Sequence, residues 1–262
     1  MKRAYTDIPE GQMHYRIEGD GEPLLLLHAS VSSSDEFTRA MHFLSKSYRA
    51  IAPDFLGHGE SDPAPYEYLY ADHCRSIASF MDSLRIEKAC IVGHHAGGGV
   101  AGELAITAPE RVRKLVMSGV AIWEPRGGAP LVDPPNFSNP VEIQADGSHL
   151  LEWWRRATMW GDKPVEIAEE EVLEYIKAGP RGEEIHWAGR AYDARPRLPL
   201  IACPTLVLSA TYDPFYSVAE EVRSLLPNGK LAIIKDGLID VDRLMPEEFA
   251  EAILDFLDAP EG

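Results

Sequence analysis

Cysteine is scarce in this chain. Cys74, Cys90 and Cys203 make three among 262 residues, an odd number without metal-type spacing, so neither a disulfide framework nor a metal knuckle is expected. Cys90 and Cys203 sit in or beside apolar runs and read as buried thiols of a reducing compartment. Long apolar runs are missing too: none approaches the roughly 20 residues of a membrane span. Met1-Lys2-Arg3 leads into polar residues rather than the apolar stretch of a secretory signal, so a cytoplasmic location is the expectation. Basic residues are the minority, 25 Lys and Arg against 42 Asp and Glu, for a net charge of -17. That balance argues against nucleic acid or an anionic membrane as partner, since both need basic patches. Internal repeats and low-complexity tracts are absent as well. What remains is ordinary globular material, 45% hydrophobic and 26% charged, with enough apolar side chain for a sizeable core. The partner expected is a small-molecule substrate, with a homodimer allowed and no metal or cofactor.

Short apolar runs alternate with longer helical patterns in the first half. PLLLLHA (23–29), YRAIAPD (48–54), ACIVGH (89–94) and VRKLVMSG (112–119) have the length and continuous apolarity of buried parallel strands. Residues 35–46, 68–86 and 96–108 carry helix-spaced apolar positions between them. AYTDIPEGQMHYRIEG (4–19) reads as a hairpin adding antiparallel strands at one edge. From Ala121 to about Leu198 the pattern changes to a Pro- and Gly-rich stretch followed by helices. The α/β alternation then resumes with CPTLVLSATYD (203–213), a helix at 216–226, KLAIIKD (230–236) and a closing helix. The fold class is α/β, with a mostly parallel central sheet flanked by helices. Residues 1–120 and 199–262 form the core, and 121–198 form a helical lid of the kind that covers active sites.

In their order, these segments resemble the α/β-hydrolase family along nearly the whole chain. LLLLHAS resembles the strand and turn that supply half of the oxyanion hole. APDFLGHGESD matches the D-x-x-G-H-G-x-S-D loop at every fixed position. GHHAG stands where the family has its nucleophile elbow, G-x-S-x-G, and CPTLVLSATYDPF is similar to the strand that delivers the catalytic acid, Asp213. The resemblance implies an α/β-hydrolase fold and chemistry on a carbonyl compound. It also implies oxyanion donors at the backbone N–H groups of Ser30 and Ala96.

The chain departs from the family at the reactive positions. His95 replaces the elbow serine, and, counting back from Pro246, Ile239 replaces the catalytic histidine. A Ser-His-Asp acyl-enzyme cannot be built from these positions. The two changes compensate each other: the imidazole of His95 projects into volume that Ile239 partly vacates, and Asp213 is expected to hydrogen-bond it. A His95–Asp213 dyad could then deprotonate water or an acidic substrate proton. The reading carried forward is a hydrolase of a small apolar ester, lactone or C–C bond that uses no serine. Two alternatives stay open: a cofactor-free lyase or oxygenase-type enzyme with His95 as general base, and a non-catalytic ligand receptor or partner-binding protein. His95 could also be a structural substitution in a lineage that lost catalysis.

Other residues are weighed against structural roles. His28, Trp123, Trp154 and His186 are candidates for substrate contact, while His28 and His58 equally serve to hold loops. His94 is expected to point away from the pocket. Asp240 and Asp242 are expected to be solvated. The tryptophans of the insertion either line the pocket or hold its helices together.

Overall fold

The computed structural model describes residues 1–122 and 141–260. Its first two strands, β1 (Lys2–Ile8) and β2 (Gly11–Glu18), form the expected hairpin, with Ile8 opposite Gly11 across a two-residue turn. After β3 (Pro23–Leu27) come α1 (Thr38–Leu44), β4 (Arg49–Pro53), α2 (Tyr70–Ser83), β5 (Ala89–His94), α3 (Ala96–Thr107) and β6 (Val112–Ser118). Among the described residues, three further α-helices follow before the sheet resumes: α4 (Ser148–Thr158), α5 (Val165–Ala178) and α6 (Glu184–Ala191). The chain closes with β7 (Thr205–Ala210), α7 (Ala219–Leu225), β8 (Gly229–Ile234), α8 (Val241–Leu244) and α9 (Pro246–Asp258).

Among the described residues the strands make one eight-stranded sheet, ordered β1-β2-β4-β3-β5-β6-β7-β8. β1 and β2 are antiparallel to each other, β2 is antiparallel to β4, and every later pairing is parallel. A parallel sheet is covered on both faces, and β3 shows how the sequence meets that demand. Successive side chains point to opposite faces, so Leu25 and Leu27 join a core with Phe80, Val100 and Leu104. Leu24 and Leu26 join another with Phe37, Met41 and Phe249. All four leucines are fully buried. At about 1.5–3 kcal/mol per buried side chain, such runs dominate the stability of the sheet.

The GHG loop after β4 is held by Asp54. This buried carboxylate accepts hydrogen bonds from the Ser34 N–H (2.7 Å), the Glu60 N–H (2.9 Å) and the His14 ring (2.9 Å). Burial pushes its pKa up, but these donors outweigh that and hold it down to about 2. A Cβ at Gly59 would lie 2.1 Å from Asp54 Oδ2, which explains the second glycine of the loop. His58 donates from Nε2 to Gly182 O at 3.1 Å and so ties the loop to the segment between α5 and α6. Cys203 is half-buried rather than buried, because it lies just before β7 and not within it.

Candidate active site

β5 ends at His94 and α3 begins at Ala96, so His95 alone makes the turn between them. Its backbone lies at φ 47° and ψ -112°, a conformation open to few residues with a Cβ. Two glycines permit the tight turn. A Cβ on Gly93 would lie 2.3 Å from Gly97 O, and one on Gly97 would lie 2.1 Å from Leu27 O. The His95 N–H is satisfied by Ser118 O at 2.8 Å.

From this turn the imidazole reaches Asp213, just beyond the end of β7. His95 Nε2 and Asp213 Oδ2 are 2.8 Å apart. Asp213 is almost wholly buried, and its other oxygen accepts from the Phe215 N–H at 2.7 Å. Phe215 also stands edge-on to the His95 ring, 5.2 Å between centroids. With both carboxylate oxygens engaged, Asp213 can only accept from Nε2–H, which leaves Nδ1 of His95 for a substrate or water proton. Gly119, at φ +57°, supplies the space for this pair: a Cβ there would lie 2.4 Å from His95 Nε2 and 2.7 Å from Asp213 Oδ2. Nothing in the sequence resemblance singles out Gly119; its only signal is a glycine closing strand β6.

His95 opens into a cavity of about 150 Å³. Ser30 and Ala96 are on its wall, as is Ile239. Ala96 is the first residue of α3, where a backbone N–H has no partner within the helix. Val31, next to Ser30, is held at φ 51° although β-branched, so that loop carries strain. The outer wall comes from the segment between β6 and β7, through Arg156 of α4, Trp160 and Lys163 of the link that follows, Tyr175 of α5 and His186 of α6.

Several expected positions need correction. His28 does not reach the cavity: it is fully buried, donating from Nδ1 to Ala29 O (2.7 Å) and accepting the Phe55 N–H at Nε2 (3.0 Å). Trp154 is off the cavity wall: its neighbour Trp153 enters a small core stacked on Tyr175, and Trp160, in the turn after α4, lines the cavity instead. Trp123 lies outside the described residues.

His94 does not point away. Its ring meets the ring of His95, 4.3 Å between centroids, and borders the cavity. Asp240 and Asp242 are not solvated either. Asp240 pairs with the buried Lys163 at 2.5 Å, and Lys163 also reaches Glu171 at 2.6 Å. Asp242 is 1% exposed and lies 3.6 Å from His94 Nδ1, on α8, which folds under the elbow rather than away from it.

Sequence reasoning missed Glu36, which completes this cluster. It accepts from His94 Nδ1 (2.9 Å) and from the Ala29 N–H (3.0 Å). Burial works against the charged forms here. It pushes Asp242 up to about 7. Despite burial, the hydrogen bond and charge of His94 hold Glu36 down to about 2. Burial disfavours imidazolium, yet Asp242 and Glu36 outweigh it and raise His94 to about 9. Arg243 caps the group, donating to Glu170 (3.0 Å) and Ser32 (3.3 Å).

A family model described as alpha/beta hydrolase fold matches residues 22–238. A 2-hydroxymuconate semialdehyde hydrolase of Pseudomonas sp. (strain CF600) is 44% identical over 110 residues, 39% of this chain and 38% of the relative. Haloalkane dehalogenase 2 of Mycobacterium tuberculosis (strain ATCC 25618 / H37Rv) is 32% identical over 124 residues, 47% of this chain and 43% of the relative. The similarity thus spans about two-fifths of the length of these curated relatives. Among solved structures, a bromoperoxidase from Bacillus anthracis superposes with a TM-score of 0.86 at 21% identity, covering 98% of this chain and all of that one. Likeness at that identity speaks for the fold alone. With a sheet, an elbow and a family match in agreement, this chain belongs to the alpha/beta hydrolase fold family.

Proposed function

We propose that the protein is a hydrolase of a small, largely apolar ester, lactone or C–C-bonded carbonyl compound, in which the His95–Asp213 dyad activates water directly. The observation that carries this reading is the 2.8 Å contact between His95 Nε2 and Asp213 Oδ2 beside an open cavity. Asp213 fixes the tautomer with the proton on Nε2, and Nδ1 takes a proton from water as the oxygen attacks the carbonyl carbon. The carbonyl electrons move onto oxygen, which is stabilised by the N–H groups of Ser30 and Ala96 and by the N-terminus of α3. Collapse breaks the bond to the leaving group, and His95 returns its proton there. Ile239 gives the site an apolar wall in place of a second histidine. The hydrolase and dehalogenase names of the relatives are in keeping with a small-molecule substrate.

The test is turnover of a panel of small esters and lactones. His95→Ala and Asp213→Asn are each expected to lower kcat by about 10²–10⁴, the range of general-base catalysis. A fluorophosphonate is expected to leave residue 95 unlabelled. Wild-type rates in either variant would defeat the reading. Product lacking solvent oxygen-18 would instead favour lyase or oxygenase-type chemistry on the same base.

A further inference from the structure

We propose that His94, His95 and Asp213 form a binding site for one divalent transition-metal ion of the zinc type. One ligand atom from each lies within 4.8 Å of the other two. Two histidines and a carboxylate facing a cavity are the donor set of three-ligand zinc sites, where the fourth position is left to water or substrate. Zinc holds nitrogen at about 2.0–2.1 Å and carboxylate oxygen at about 2.0–2.2 Å, setting tetrahedral neighbours about 3.3 Å apart. The 2.8 Å between His95 Nε2 and Asp213 Oδ2 therefore opens by about 0.5 Å to admit the ion.

His94 provides the independent evidence. It is 3% exposed, it borders the cavity, and its Nε2 is buried without a hydrogen-bond partner. Its other nitrogen is bound to Glu36 at 2.9 Å. A histidine oriented by a carboxylate through one nitrogen can ligate a metal through the other once that nitrogen gives up its proton, so the ion competes with a proton at His94 Nε2. A buried imidazole nitrogen left without a partner is costly, and coordination removes that cost. Sequence spacing gives no hint of the site, since two ligands are adjacent and the third is 118 residues away.

Occupancy replaces the His95–Asp213 hydrogen bond, so a bound ion and the free dyad exclude each other. The site is independent of whether the dyad hydrolyses anything, and its test needs no substrate. Zn²⁺ is titrated calorimetrically into the purified chain and Co²⁺ is followed by visible absorption. The expected result is one ion per chain with micromolar or tighter affinity and a Co²⁺ spectrum of low coordination number. Binding should weaken at least tenfold in His94→Gln and Asp213→Asn and stay within threefold in Asp242→Asn. In ¹⁵N-histidine-labelled wild-type protein, Zn²⁺ should shift imidazole nitrogens of both His94 and His95, which decides the matter even if a variant fails to fold. Absence of saturable binding at millimolar Zn²⁺, or binding lost in Asp242→Asn but kept in Asp213→Asn, would overturn the proposal.

Discussion

Gly119 is the residue that lets an imidazole and a carboxylate meet beside the end of β6. Alanine there combines a left-handed backbone, about 1–2 kcal/mol, with a methyl 2.4 Å from His95 Nε2. Gly119→Ala is therefore expected to lower stability by about 1–2 kcal/mol. In kinetic assays it should lower kcat/KM at least tenfold by parting the dyad; an unchanged value would show that the contact is dispensable. His94 makes a different prediction. In the metal-free protein its folded pKa, about 9, is raised above the ordinary 6.5, so the folded state holds a proton that the unfolded chain gives up. That contribution is complete below about pH 6.5 and is lost as pH rises through 9. Asp242, raised from 3.8 to about 7, acts in the same direction at lower pH. Thermal melts should thus show Tm falling between pH 7 and 9.5, and His94→Gln should flatten that limb. His95 and Asp213 were legible in the sequence because each stands at a fixed place in a family motif. Gly119, Glu36 and Asp242 were not, because their importance lies in contacts between distant segments.

Helix α5 is tied to the core by ion pairs, whereas α6 packs through Ile185 and Ala188 into the main apolar core. Lys163 holds Glu171 of α5 to Asp240, one residue after Ile239, and Glu170 is shared between Arg39 and Arg243. Removing one partner of a buried pair leaves its counterion uncompensated, at about 3–5 kcal/mol. Lys163→Met should therefore lower the denaturation midpoint and raise amide exchange in α5 more than in the β3–β5 core. Equal exchange throughout would show that the pair does not pin this helix. The insertion and its helical character were readable from composition alone. Which tryptophan faces the cavity was not: Trp153 is set by the phase of α4 and Trp160 by the turn that follows it, and periodicity in one short helix fixes neither.

Across the whole molecule, the fold is carried by apolar strands buried on both faces, and the chemistry by a few turns at their carboxyl ends. That division explains why the strands and the family were legible in the sequence while the reactive residues, on the proposed reading, depart from the family pattern. On the proposed reading, His95 at the elbow and Ile239 in the late turn leave Leu24–Leu27, Ile91, Val92 and Val116 untouched, so the sheet is compatible with a changed site. The central claim is that His95, oriented by Asp213, activates water without itself being acylated. It is tested most directly by rapid-quench intact-protein mass spectrometry during turnover of a small ester or lactone. The account predicts that the protein keeps its unmodified mass at every time point while substrate is consumed. An acyl adduct on His95 that forms and decays at the rate of turnover would contradict it.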